Sequence, residues 1–209
     1  MSQQTTESVL VYSDYVCPFC YLGYESFDQY RDQREEPIEI EWHPFDLRGG
    51  QRRPDGTIDH SVDNGKDDSY YEEARKNVER LADEYDAELA QSLRKDVDSY
   101  DAQRVALRVR EEHPEAFAEF HRSVFDALWE DGRDIGDADV LGELAAEAGL
   151  PDGFVEEALA DESTARALEA AFDDARQQRI TGVPTFVYGE HAARGAVPPE
   201  QLRRLVEGE

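Results

Sequence analysis

The chain has 209 residues, enough for one large domain or two small ones around a real core. Its 49 acidic against 22 basic residues give a formal charge of -27, which repels phosphate backbones and anionic headgroups and argues against nucleic-acid or membrane-surface binding. No run of about 18 apolar residues is present to span a bilayer, and the opening MSQQTTESVLVYSD lacks the basic start and apolar core of a secretory signal, so a cytoplasmic location is expected.

In chain order, ESVLVYS predicts a short buried strand over Ser8–Tyr12. Beyond Cys17 and Pro18, the positions Cys20, Gly23/Tyr24, Phe27 and Tyr30 recur at helical spacing. Proline is tolerated at the first helical position, so Cys17 is expected at or near the N-cap and Cys20 on the first turn. Residues 37–45, PIEIEWHPF, alternate as a strand with Ile38, Ile40 and Trp42 on one side and Glu39, Glu41 and His43 on the wet side. His43 is accordingly expected in a surface role. Residues 46–68 have no period and read as a loop carrying Arg48, Arg52 and Arg53, expected to pair with the acidic surface, with a phosphate or carboxylate site as the alternative.

From about 69 to 180 the pattern is helical. Leu81, Tyr85, Leu89 and Leu93 predict one stripe, Ala102 to Val109 a second, Phe117 to Leu128 a third. Asp137 caps a helix stopping at Gly149, Phe154–Leu159 form a short one, and Ser163 opens the last. These stripes read as core packing. Strand character returns in Gly182–Tyr188, with His191–Arg194 pairing back as a hairpin and a terminal helix after Pro198-Pro199. Strands from both ends of the chain meeting in one sheet imply an α/β fold with an inserted all-helical subdomain, divided as 1–62, 63–165 and 166–209. Pro184 opens a strand, where proline is tolerated.

Cys17 and Cys20 are the only cysteines, in C-x-x-C. One pair makes no disulfide framework, and a structural zinc site ordinarily needs four ligands. The five widely spaced histidines supply no local partner, which leaves metal binding only to a non-local arrangement; an inert buried pair is a further alternative. The redox reading follows from chemistry. The thiolate is the reactive form, unpaired N–H groups and the dipole at a helix N-terminus favour an anion, and residues three apart share a face. Cys17 then attacks and Cys20, more buried, resolves.

SDYVCPFCYLG at 13–23, WHPFDL at 42–47, FHRSVFDALWEDGRDIGDADVLGELAAEAGL at 120–150 and ITGVPTFVYGEHAARGAVPPEQL at 180–202, in that order, resemble the DsbA-like branch of the thioredoxin superfamily, and within it the FrnE-like dithiol–disulfide oxidoreductases. The resemblance covers nearly the whole chain. It implies a thioredoxin-like fold with a helical insertion, a cis Val183–Pro184 bond facing the dithiol, Cys17 as nucleophile, and no cofactor beyond the cysteine pair. It also implies a groove in which an extended partner pairs with Val183 beside Pro18, Phe19 and Thr185. Phe19 stands where the family often has Trp. Asp14, just before the dithiol, is a candidate for moving a proton to or from Cys20, with a solvated or capping role as the alternative.

The function expected is thiol–disulfide exchange with protein thiols, glutathione or another small thiol. Two alternatives stand beside it: a glutathione-dependent transferase or isomerase of the kappa or hydroxychromene-carboxylate isomerase type, which typically carries serine for the first cysteine, and a non-enzymatic peptide-binding chaperone. The composition carries a separate expectation. Only three of the basic residues are lysines, and the carboxylates are scattered along the chain, as in cytosolic proteins of the haloarchaeal type. At about 1 M salt the Debye length is about 3 Å and self-repulsion largely disappears.

Overall fold

The strand β1 (Glu7–Ser13) runs through the middle of a four-stranded mixed sheet of order β2-β1-β3-β4 in the computed structural model, which describes residues 7–53, 56–59, 61–63, 65–91 and 93–208. β2 (Ile38–Pro44) lies parallel to β1, with Val9 opposite Ile40 and Val11 opposite Trp42. β3 (Thr185–Tyr188) lies antiparallel on the other side, Val11 facing Phe186, and β4 (His191–Arg194) completes the hairpin. Val9 and Val11, two residues apart and so on one face of this central strand, are fully buried, while Leu10 on the other face is half-buried. Both ends of the chain therefore feed one thioredoxin-like sheet.

The parallel step from β1 to β2 needs a crossover, and α1 (Pro18–Asp32) supplies it. Its Cys20, Leu22 and Phe27 are fully buried, because the helix is packed on by three others. These are α2 (Asp68–Tyr85), α4 (Pro114–Trp129) and α8 (Pro199–Glu207). α3 (Tyr100–Glu112) packs on α4, and α5 (Ala138–Glu147) on α6 (Phe154–Ala160). α7 (Glu162–Gln177) packs against both α3 and β2.

Two sequence expectations are corrected. Leu89 and Leu93 do not extend the stripe of Leu81 and Tyr85. α2 ends at Tyr85 because Asp86 turns left-handed at φ 52°, and the Asp86 and Ala87 N–H groups both close onto the Ala82 carbonyl. Aspartate is one of the few residues that visits this region. The irregular chain beyond it is stitched to the end of α4: Ala90 N donates to Trp129 O at 2.7 Å, Gln91 Nε2 to Leu128 O at 2.9 Å and Arg94 Nη1 to Gly132 O at 2.9 Å, so carbonyls beyond the helical ladder are satisfied. The last long helix opens one residue earlier than Ser163, since Asp161 is the cap and accepts from Ser163 N at 2.8 Å.

The arginine cluster divides. Arg52 binds Asp46 and Asp98, and Arg53 binds Asp59. Arg48 instead donates to the carbonyls of Arg94 and Lys95, both at 2.8 Å. His43 lies 3.2 Å from Asp174 of α7 and against the Tyr12 ring.

Candidate active site

β1 runs out at Ser13, and a tight turn follows in which Cys17 N donates to Asp14 O at 3.1 Å. That turn places Cys17 at the N-cap of α1 with φ -97° and ψ 112°, and Pro18 at the first helical position. The Cys17 carbonyl accepts from Cys20 N at 2.9 Å and Tyr21 N at 3.3 Å, which winds the first turn and carries Cys20 inward. The loop is anchored by the end of α4, Trp129 Nε1 donating to Tyr15 O at 2.9 Å.

Both cysteines are free thiols. Both are buried: Cys17, 4% exposed, lines a surface groove of about 1040 Å³, and Cys20, at 0%, sits wholly inside. Burial pushes the Cys20 thiol well above its ordinary value, and the hydrogen bond and charge of the neighbouring Cys17 sulfur push the same way. Opposite stands the loop leading into β3. The Val183–Pro184 bond is cis, and Cys17 Sγ donates to Val183 O at 3.6 Å. Pro18, Phe19 and Val183 line the groove with Cys17. Pro184 is buried against Gly23. Thr185 does not line the groove: it is 2% exposed and its hydroxyl donates to Gly182 O at 2.7 Å, closing the loop rather than presenting a side chain to a partner.

Asp14 is 1% exposed, so a solvated role is excluded. Its carboxylate accepts from Ser99 Oγ at 2.5 Å, Leu47 N at 2.8 Å, Val16 N at 3.2 Å and Gln103 Nε2 at 3.3 Å. It thus ties the end of β1 to the loop after β2 and to α3. Burial pushes the carboxyl up to about 6; the Ser99 hydroxyl and the Leu47 and Val16 N–H groups hold it down, and the Asp46 charge adds to the rise. Its charge also raises the Cys20 thiol.

Sequence reasoning missed a second buried polar unit. His121 of α4 is 4% exposed, with Tyr15 OH 2.5 Å from Nδ1 and Tyr24 OH 2.8 Å from Nε2. Tyr24 OH lies 3.5 Å from Ser13 Oγ. Burial, helped by the Arg110 and Arg122 charges, holds the imidazole down to about 3, so it is neutral at physiological pH. The rings of Trp42, Phe117 and Phe125 enclose it. One signal was available: His121 stands four residues from both Phe117 and Phe125, inside the apolar stripe of α4. Among the described residues no group of three or more His, Cys, Asp or Glu is placed to hold a metal ion, and no helix is long and apolar enough to cross a membrane.

A dithiol at a helix N-cap opposite a cis-proline loop defines a thioredoxin-type centre. The sequence model of the DSBA-like thioredoxin domain matches residues 8–207, and the chain belongs to that family. It is 28% identical over 208 residues to the uncharacterized protein YwbO of Bacillus subtilis, covering 98% of each chain. Among solved structures it is similar to a "probable DsbA oxidoreductase" of Streptomyces coelicolor (TM-score 0.76, 24% identity, 97% of this chain and 90% of that one). It is also similar to a 2-hydroxychromene-2-carboxylate isomerase (TM-score 0.72, 18% identity, 95% of this chain and 92% of that one).

Proposed function

We propose that the chain is a dithiol–disulfide oxidoreductase in which Cys17 exchanges disulfides with protein or small-thiol partners and Cys20 resolves the exchange. The observation that carries this reading is the asymmetry of the pair: Cys17 caps a helix at the groove, 3.6 Å from the Val183 carbonyl, while Cys20 lies fully buried one turn behind it.

In the reducing direction the Cys17 thiolate attacks one sulfur of the partner's disulfide. That S–S bond breaks, the other sulfur leaves as a thiolate, and Cys17 is held in a mixed disulfide. Cys20 gives up its proton to Asp14, whose buried carboxyl near 6 is mostly ionised at neutral pH and whose charge acts on the Cys20 thiol. The Cys20 thiolate attacks Cys17 Sγ and releases the partner's second thiol. Two electrons have then passed from the cysteine pair to the partner, whose two thiolates take up the proton held by Asp14 and one from solvent, and the reverse sequence oxidises a partner dithiol. Ser99, Gln103 and the Leu47 N–H hold the Asp14 carboxylate in place. The groove beside Val183 accommodates an extended partner backbone by strand addition. The cysteine pair supplies the redox chemistry without a resident cofactor, and we place the reaction in the cytoplasm.

The test is a trap. Cys20→Ser incubated with a disulfide-bearing peptide accumulates a mixed disulfide at Cys17, readable by mass spectrometry, and Cys17→Ser accumulates none. A glutathione-dependent isomerase built on the same fold keeps its turnover when Cys20 becomes Ala. Such retained turnover, without any trapped adduct, overturns the exchange reading.

A further inference from the structure

The groove that opens from Cys17 has two unlike ends. Around the sulfur its wall is apolar, from Val16, Pro18, Phe19 and Val183. The lining also carries four cations, Arg48, Lys66, Arg94 and Lys95, in a chain whose net charge is -27; of these Arg94 is paired with Asp96 at 2.8 Å. Two of the three lysines in the whole sequence stand here. The two carboxylates of the lining are engaged elsewhere: Asp46 binds Arg52 at 2.8 Å, and Asp63 accepts from Gly65 N at 2.8 Å.

Arg48 is the informative member. Among the described residues it makes no ion pair, although the chain offers 49 carboxylates. Its guanidinium is fixed by the carbonyls of Arg94 and Lys95, at 2.8 Å each, which aims it without neutralising it. The Lys95 ammonium lies 3.2 Å from the Tyr71 ring centroid and likewise has no carboxylate partner among the described residues. Asp14, Asp98 and Asp96 act on the Arg48 charge from a distance, but none is paired with it among the described residues. A fixed, half-buried guanidinium without a direct carboxylate partner is a standing site for an anion, since a charge-assisted pair there is screened far less than one on the open surface.

We propose that this end of the groove is an anion subsite that selects, as partners for Cys17, thiols and disulfides carrying a carboxylate near the reacting sulfur. This deepens the exchange reading and rests on it. The long-range field of the molecule repels such partners. The local cations offset that repulsion in the groove that Cys17 lines, so carboxylate-bearing partners are held in register with the nucleophile.

The test uses single-turnover reduction of four disulfides by the reduced protein, followed by release of thiol. One pair is the cystine-linked dimer of an Asp-Asp-Cys peptide and its Asn-Asn-Cys isostere. The other is a small dicarboxylate disulfide and its diamide. In each reaction the Cys17–Cys20 dithiol is oxidised and the disulfide becomes two thiols, with no further reductant needed. The expected result is a preference of about tenfold or more for the charged member, equivalent to about 1.4 kcal/mol. The preference should fall towards one in Lys66→Gln/Lys95→Gln and shrink with added salt, and Lys95→Arg should restore it to the single Lys66→Gln level. Arg48→Gln is a second variant, read beside the lysine pair because it also releases the Arg94–Lys95 carbonyls. A preference confined to the small pair identifies a small acidic disulfide as the source, and one confined to the peptides identifies acidic client segments. Equal rates for charged and neutral members, or a preference that survives all variants, overturn the subsite and leave thiol exchange standing. Failure to reduce any of the four overturns both.

Discussion

A Cβ placed on Gly23 would stand 3.1 Å from Cγ of Pro184 and 3.1 Å from Cζ of Phe186. The helix that carries the dithiol and the loop that faces it therefore meet across bare backbone, and their separation is set by the absence of one methyl group.

Gly23→Ala tests that contact. Alanine gains about 1 kcal/mol of helix propensity, while forcing a methyl into a filled space costs about 1–3 kcal/mol. The expected result is a net loss of about 1 kcal/mol, with the rate of disulfide exchange falling about three- to tenfold as Pro184 and Val183 are pushed from Cys17, a fall comparable to about 1 kcal/mol in the barrier. Stopped-flow reduction of a cystine peptide and denaturant melts measure the two effects. An unchanged rate would show that the spacing does not matter.

Asp14 gives the site a pH signature. Its folded-state value, about 6, lies above the ordinary 3.8 because the carboxyl is buried. The folded protein therefore binds the proton more tightly than the unfolded chain, and this contribution to stability is full below about 4 and lost as pH rises through about 6. The size of the loss is about 3 kcal/mol at 1.36 kcal/mol per pKa unit. Resolution of the mixed disulfide should rise with pH through an inflection near 6, and Asp14→Asn should remove that inflection. A variant profile superimposable on the wild type would take Asp14 out of the proton path.

His121 has the opposite sign. Its value falls to about 3 from 6.5, so the unfolded chain binds the proton more tightly. Its contribution is full above about 6.5 and is lost as pH falls towards 3. Between about 4 and 6 the two groups oppose each other, and the wild-type contribution from the pair should be nearly flat with pH. His121→Phe should uncover a stability that declines as pH rises through this window, and Asp14→Asn one that rises. Urea titrations at half-unit intervals of pH would decide, and slopes of the same sign in the two variants would exclude the pairing.

The charge of -27 predicts a response to the medium. Raising KCl from 0.1 M to about 2 M shortens the Debye length from about 10 Å to below about 3 Å. We expect the melting temperature to climb by about 5 °C or more, with NaCl and KCl equivalent. A melting temperature independent of salt would remove the salt-adapted reading of the composition.

Much of this centre was legible because its parts are local in the chain. Pro18 after Cys17, the three-residue step to Cys20, and the apolar run after Pro184 each declare themselves within a few residues. The alternation of Ile38 and Trp42 likewise set the face of β2. What stayed hidden depends on contacts between distant segments. Ser99 and Gln103 reach Asp14 across 85 and 89 residues, and Tyr15 meets His121 across 106, with no period to announce them. The end of α2 was misread because a left-handed Asp86 interrupts a stripe that Leu89 and Leu93 continue in composition but not in conformation. Arg48 stood in a cluster of three whose charges look alike in the sequence and are put to different uses by Asp46, Asp98 and Asp59.

A neutral imidazole owns a single ring proton. With a tyrosine hydroxyl at each nitrogen of His121, one phenol must give and the other receive, and Ser13 must follow suit through Tyr24. The row from Tyr15 to Ser13 thus has a direction, set by which nitrogen of the neutral His121 ring carries the proton beneath the dithiol.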